Sequence, residues 1–252
     1  MKIGVIGCGL ISSALVRAIA ADDHVITVSE RNRTHSAKLA SHYESVAVAD
    51  NQTVLDNCDV IILGLLADVA PDVLAPLDFR TNHRIISLMA GLLPPQVAKM
   101  TAPAAEITLA IPFPFVGQKD APILVYPQSD TVKALFGTRN RLFVLENGAQ
   151  FNAYMSAQAV LSPLLKMLEQ TSNWMAQQGV DATDADGFLL SLIAGSLNAR
   201  PPAEKQPFTT MLQELNTKGG LNAQLREHLL DAGLNEMLVE GLDQLSDRLS
   251  AK

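Results

Sequence analysis

The sequence predicts an α/β fold, a doubly wound parallel sheet followed by an all-helical region, and three observations predict it. Short β-branched runs alternate with helical stretches through residues 1–148. A glycine-rich turn stands directly behind the first of those runs. From about Gln150 onward the strand signal is replaced by apolar residues at helical spacing. The expected division is therefore a sheet domain over 1–148 and a helical domain over 149–252.

The first element carries the most chemistry. Ile3, Val5 and Ile6 read as a buried parallel strand, Gly7-Cys8-Gly9 as a tight turn, and Ser13–Ala20 as the helix behind it. In a dinucleotide-binding βαβ unit the first glycine makes the turn and the second lets the backbone approach a pyrophosphate. The helix N-terminus then offers unpaired N–H groups and a positive dipole end. Ser12 stands at the third glycine position of the G-x-G-x-x-G pattern, small enough for close helix–strand packing. The strand–turn–helix context makes this a Rossmann-type nucleotide site formed by Gly7, Cys8, Gly9, Leu10 and Ile11.

The later elements follow in order. His24–Ser29 is a second strand, Arg33–Tyr43 a helix, Ser45–Ala49 a short strand and Asp59–Gly64 a strongly apolar one. A helix near Val69–Leu77 precedes the strand Arg84–Met89, and Pro94-Pro95 open another helix, where proline suits the first turn. Glu106–Ile111, Pro122–Tyr126 and Leu142–Leu145 complete the strands, with a helix over Ser129–Gly137. In the tail, Leu234, Leu238, Leu242, Leu245 and Leu249 recur at three and four residues as one apolar stripe. The stripe packs either on the chain's own core or on another subunit.

Composition narrows the classes. Hydrophobic residues are 48% and charged residues 18% of 252, a globular balance. A net charge of −7 with no basic run gives no reason to expect a nucleic-acid partner. Residues 150–252 hold 7 Lys/Arg against 12 Asp/Glu, so most of that charge lies in the tail. Cys8 and Cys58 are the only cysteines and read as reduced structural residues. No signal peptide and no apolar run of about 20 residues is present, so a cytoplasmic protein without a membrane partner is expected. No histidine, cysteine and carboxylate spacing suggests a metal. The five histidines read as solvated surface residues, and no catalytic acid or base is nominated.

Cofactor choice is decided at the end of the second strand, about 20 residues past the glycines. The segment reads Ser29-Glu-Arg-Asn-Arg33. Ser29, Arg31 and Asn32, with Arg33, favour the 2′-phosphate of NADP, because guanidinium pairs with phosphate. Glu30 dissents: aimed into the site, it would hold the ribose 2′-OH of NAD. Two further segments should approach the nucleotide, Leu65-Leu66 after the fourth strand and Ala90-Gly91 after the fifth. Gly91 also suits a plain strand terminator.

The chain resembles the pyrroline-5-carboxylate reductase family and its NADP-dependent oxidoreductase relatives. The likeness rests on Ile3–Ala14, Asp59–Leu63, Ile86–Leu92 and, in the tail, Thr217–Ala223 with the helices that follow to Leu249. It implies hydride transfer from NADPH to a cyclic imine or related C=N/C=O compound, pyrroline-5-carboxylate first among them, and with it proline biosynthesis. It also implies a homodimer or larger homo-oligomer through the helical domain, and substrate contacts from Phe113, Ser156, Gly219, Gly220 and Asn222. The chain departs from the family where Leu221 and Asn222 replace two threonines, and where Phe113 and Phe115 replace polar residues beside the nicotinamide. Such a pocket suits a less polar substrate than a small imino acid. Two alternatives are hydride exchange with a deazaflavin-type carrier, and a non-catalytic nucleotide-binding regulator.

Overall fold

The computed structural model describes residues 1–199 and 205–250, and the chain divides into two units, 1–154 and 155–251. The division falls inside the helix Gly148–Ala157, slightly later than the residue 148 expected from the sequence.

Unit one is built on an eight-stranded sheet in the order β3-β2-β1-β4-β5-β6-β7-β8. Its strands are β1 (Lys2–Ile6), β2 (Val25–Ser29), β3 (Val46–Ala49), β4 (Val60–Leu63), β5 (Arg84–Ser87), β6 (Glu106–Pro112), β7 (Ala121–Tyr126) and β8 (Asn140–Val144). The helices between them are α1 (Leu10–Ile19), α2 (Arg33–His42), α3 (Asn51–Asn57), α4 (Ala70–Leu74), α5 (Pro94–Met100) and α6 (Asp130–Phe136). All eight expected strands are present. The helix α3 was missed, and its N-terminus is fixed by Asp50, whose carboxylate accepts from the Thr53 N–H at 2.9 Å and from its hydroxyl at 2.6 Å.

A core lies on each face of the sheet. Val60 and Ile62 of β4 join Val5, Val16 and Phe136 on one side, while Ile61 and Leu63 join Ile6, Leu55 and Leu74 on the other. This is why β4 reads as an unbroken apolar run: both of its faces are buried. One expectation is corrected. The sheet is not wholly parallel, because β7 runs antiparallel to β6 and β8 then runs parallel to β7. Residues 113–120 are too few for a helical crossover, so the chain turns back on itself.

A second correction concerns His83, which is 1% exposed and not a surface residue. Its Nδ1 accepts the Arg80 N–H at 3.0 Å, so Nε2 carries the proton and donates to the Leu55 carbonyl at 3.1 Å. Burial, then the neighbouring Arg80 charge, holds this imidazole below its ordinary value of 6.5. The unfolded chain therefore binds the extra proton first, so His83 contributes stability above about pH 6.5 that is lost as pH falls below it. The urea midpoint should drop between about pH 7.5 and 5.5 for the wild type and less steeply for His83→Asn. Parallel slopes would contradict the buried neutral imidazole.

Unit two is helical throughout its described residues. After a short 3-10 turn come α8 (Leu161–Gln177), α9 (Ala182–Asn198), α10 (Pro207–Glu214), α11 (Leu221–Asp231) and α12 (Leu234–Ser250), with α7 the helix Gly148–Ala157 that leads in. Asp181 caps α9 by accepting from Thr183 N at 2.8 Å, and Ser172 donates to Asp186 at 2.6 Å between α8 and α9. Little of this unit is buried: among its described residues only Ser156, Ser172, Ala185, Leu189 and Ala223 are. No residue of α12 is buried, and Leu238 of the leucine stripe is 40% exposed. No described helix is long and apolar enough to cross a membrane.

Candidate nucleotide-binding site

The strand order reverses between β1 and β4, the place where open α/β sheets bind ligands beyond their strand ends. Gly7 follows β1 there and Gly64 follows β4. Gly7 has φ +88°, and a Cβ on it would lie 2.5 Å from the Gly64 carbonyl oxygen. A Cβ on Gly64 would lie 1.9 Å from Ser12 Oγ, so the two loops and α1 meet only because these positions are bare. Ser12, in the third glycine position, is 2% exposed and supplies the close helix packing the motif requires.

Gly9 is the contrasting glycine. Nothing lies within 4 Å of where its Cβ would be, so its bare face borders open space in front of α1. Gly9 is the N-cap of α1, no side chain bonds to that helix end, and no acidic residue stands in its first turn. The N–H groups of the first turn are thus presented, with the helix dipole, to an anion. The loops border an open cavity of about 590 Å³ lined by Gly7, Cys8, Gly9, Gly64, Leu65, Leu66 and Val69, together with Arg31, Asn32 and Arg33. A nucleotide diphosphate fits this arrangement: backbone N–H groups and a bare glycine for the pyrophosphate, guanidinium groups for a further phosphate.

The expected residues divide. Gly7, Gly9, Arg31, Asn32, Leu65 and Leu66 come together around the cavity, and Val69 joins them without having been foreseen. Leu10 is 63% exposed at the first turn. Cys8 borders the cavity but is 1% exposed, with its Sγ 3.6 Å from Ser13 Oγ. Burial pushes that thiol above its usual range, so it offers no thiolate. Asn32 also caps α2 by accepting from His35 N at 3.3 Å. Ala90 and Gly91 lie beyond β5 but do not line the cavity; a Cβ on Gly91 would meet Ala67 Cβ at 3.3 Å, so its smallness serves loop packing.

Ser29 is corrected. It is fully buried, and its Oγ accepts the Gly7 N–H at 3.0 Å, so its hydroxyl cannot reach a phosphate. Glu30, the residue that kept NAD open, borders a separate hollow of about 470 Å³ with Asp50, Asn51 and Asp72. Arg31 stands between the two cavities and lines both. Arg33 thus borders the glycine-turn cavity, the carboxylates line the other hollow, and Arg31 is shared by the two.

The residues implied for substrate are placed unit by unit. Phe113 follows β6 in unit one and stacks on Phe115, ring centroids 6.0 Å apart at 14°. In unit two, Gly219 has φ +72°, and Gly219 and Gly220 precede α11 without a side-chain cap. They line a hollow with Thr217, Lys218, Gln224 and Glu227, which Asn222 does not line. Ser156 is 4% exposed.

Comparison with known proteins agrees with this geometry. Residues 2–91 match the family model described as NADP oxidoreductase, coenzyme F420-dependent. No curated protein matches the chain. Among solved structures, the 1-pyrroline-5-carboxylate reductase of Streptococcus pyogenes superposes with TM-score 0.83 at 19% identity, covering 100% of this chain and 99% of that one. The pyrroline carboxylate reductase of Plasmodium falciparum, solved with NADP bound, gives 0.82 at 16% identity, covering 100% and 97%. An imine reductase from Aspergillus terreus, in complex with NADPH4 and dibenz[c,e]azepine, gives 0.59 at 19% identity over 79% and 72%. The fold resembles that of the pyrroline-5-carboxylate reductases, and the residues matched by the oxidoreductase model are those that carry the glycine turn and the first strands of unit one.

Proposed function

We propose that this chain is an NADP-dependent reductase of a C=N or related C=O compound. The observation that carries the reading is the single cavity in which the bare Gly7–Gly9 turn and the first turn of α1 share space with Arg31 and Arg33. NADPH, when bound, supplies a hydride. The chain's own part is to bind and orient. Backbone N–H groups of α1 hold the pyrophosphate, Arg31 and Arg33 pair with the 2′-phosphate, and Gly64, Leu65 and Val69 exclude water from one side of the nucleotide. A protonated imine carbon is already electrophilic, so holding two reactants in line supplies most of what the step needs.

For substrate, pyrroline-5-carboxylate is the first compound to test and apolar cyclic imines the next. The second choice rests on the Phe113–Phe115 stack of unit one, with Phe115 39% exposed. NADPH consumption should depend on added imine, followed by nicotinamide absorbance. A protein that binds NADPH yet turns over no imine or carbonyl compound would contradict the reductase reading and favour the regulatory one. The description of the matched family supports a second enzymatic reading, hydride exchange with a deazaflavin carrier, for which oxidised carrier replaces imine in the same assay.

The partner in this reading is a second copy of the chain, and the compartment is the cytoplasm. Phe188, Leu190, Leu192, Leu225, Met237 and Val239 are each at least half exposed in the helical unit. That much uncovered apolar surface needs a cover. Light scattering should give the mass of a dimer or larger assembly, and a monomer would contradict this.

A further inference from the structure

Among the buried polar side chains, Ser29 is the one whose hydroxyl bonds the backbone of the glycine turn among the described residues. The Gly7 peptide is held on three sides. Its N–H donates to Ser29 Oγ at 3.0 Å, the preceding Ile6 carbonyl accepts from Gly64 N at 2.8 Å, and its own carbonyl accepts from Gly9 N at 3.1 Å. Two of these bonds are backbone to backbone and survive most substitutions. The third depends on one side chain, at the last residue of β2 and two residues before Arg31. Ser29 is 0% exposed, so no water replaces it.

Resting on the nucleotide-binding reading above, we infer that Ser29 is a positioning residue of the nucleotide site. Its hydroxyl fixes the Gly7 turn in the conformation that presents α1 to the pyrophosphate, and it ties that turn to the strand end bearing Arg31. Without the acceptor, the Gly7 N–H is orphaned and the turn samples other conformations in the free protein. Binding must then supply the ordering that the serine supplies in advance. The effect falls on the pyrophosphate and not on the 2′-phosphate, because the hydroxyl bonds the Gly7 N–H of the turn, while the groups offered to the 2′-phosphate are the Arg31 and Arg33 side chains.

The test is a set of titrations on the full chain with NADPH, NADH, ADP-ribose and adenosine 2′-monophosphate, below each variant's melting temperature. Two variants remove the acceptor: Ser29→Ala, and Ser29→Cys, which keeps nearly the same volume with a poor acceptor. NADPH, NADH and ADP-ribose should weaken together by roughly tenfold, the factor expected for ordering about one residue of backbone. Adenosine 2′-monophosphate, which lacks the pyrophosphate, should bind as to the wild type. A general loss of stability would not separate these ligands in this way. Wild-type affinity for all four in both variants would overturn the inference while leaving the nucleotide site intact. Selective loss of NADPH and adenosine 2′-monophosphate would overturn it too, by making Ser29 a phosphate ligand. Failure of the wild type to bind any of the four would instead defeat the nucleotide reading on which it rests.

Discussion

Gly7→Ala is expected to weaken both NADPH binding and the fold strongly, whereas Gly9→Ala should weaken binding without disturbing the fold. An L-residue at the φ of +88° found at Gly7 costs about 1–2 kcal/mol. The added methyl would also sit 2.5 Å from the Gly64 carbonyl oxygen, so β1 and β4 must part at the floor of the cavity. The two costs together predict a loss of more than roughly a hundredfold in affinity and a lower melting temperature. At Gly9 the methyl meets nothing within 4 Å, so the free protein should melt as the wild type does. Its methyl would occupy the space where a pyrophosphate approaches α1. Calorimetric titration and thermal melting of the two variants check both statements. Unchanged NADPH affinity in Gly9→Ala would mean that no phosphate comes close to that turn.

Arg31→Ala should weaken NADPH by roughly 10- to 100-fold, the range for losing a charge-assisted hydrogen bond to phosphate. NADH affinity should stay within about twofold, because the ribose 2′-OH offers no charge for the guanidinium to meet. The side chain lines both the glycine-turn cavity and the acidic hollow of Glu30, Asp50 and Asp72. Its loss therefore also leaves the charge of those carboxylates uncompensated beside the site, adding to the NADPH penalty. Equal weakening of both nucleotides would show that Arg31 touches only what they share.

The sheet was legible because buried parallel strands have few residue choices. Val60–Leu63 faces a core on both sides and tolerates little but aliphatic residues, so its limits are plain in the sequence. The glycine turn was legible for the same kind of reason, since Gly7 and Gly64 stand where any side chain collides. Other features depend on who pairs with whom. Helix α3 is polar at five of its seven positions, so it reads as a loop, and only its Asp50 cap marks it. The reversal of β7 follows from a loop length and a pairing, and β7 itself reads like any other buried strand. Ser29 and His83 are polar residues whose placement was misjudged from type alone. Serine beside arginine suggests a phosphate clamp, yet its hydroxyl turns inward to Gly7 N–H. Histidine in a loop suggests solvent, yet both ring nitrogens find backbone partners at 3.0 and 3.1 Å. The direction of Glu30 was open in the sequence, and in the fold it borders the second hollow with Asp50 and Asp72.

The central claim is that the cavity over the Gly7–Gly9 turn is shaped for a nicotinamide nucleotide carrying a 2′-phosphate. Titration of the wild-type chain with NADPH and with NADH in the same buffer tests it most directly. NADPH should bind at least roughly tenfold more tightly, the preference that a guanidinium–phosphate contact confers. Equal affinity, tighter binding of NADH, or no binding of either would contradict it.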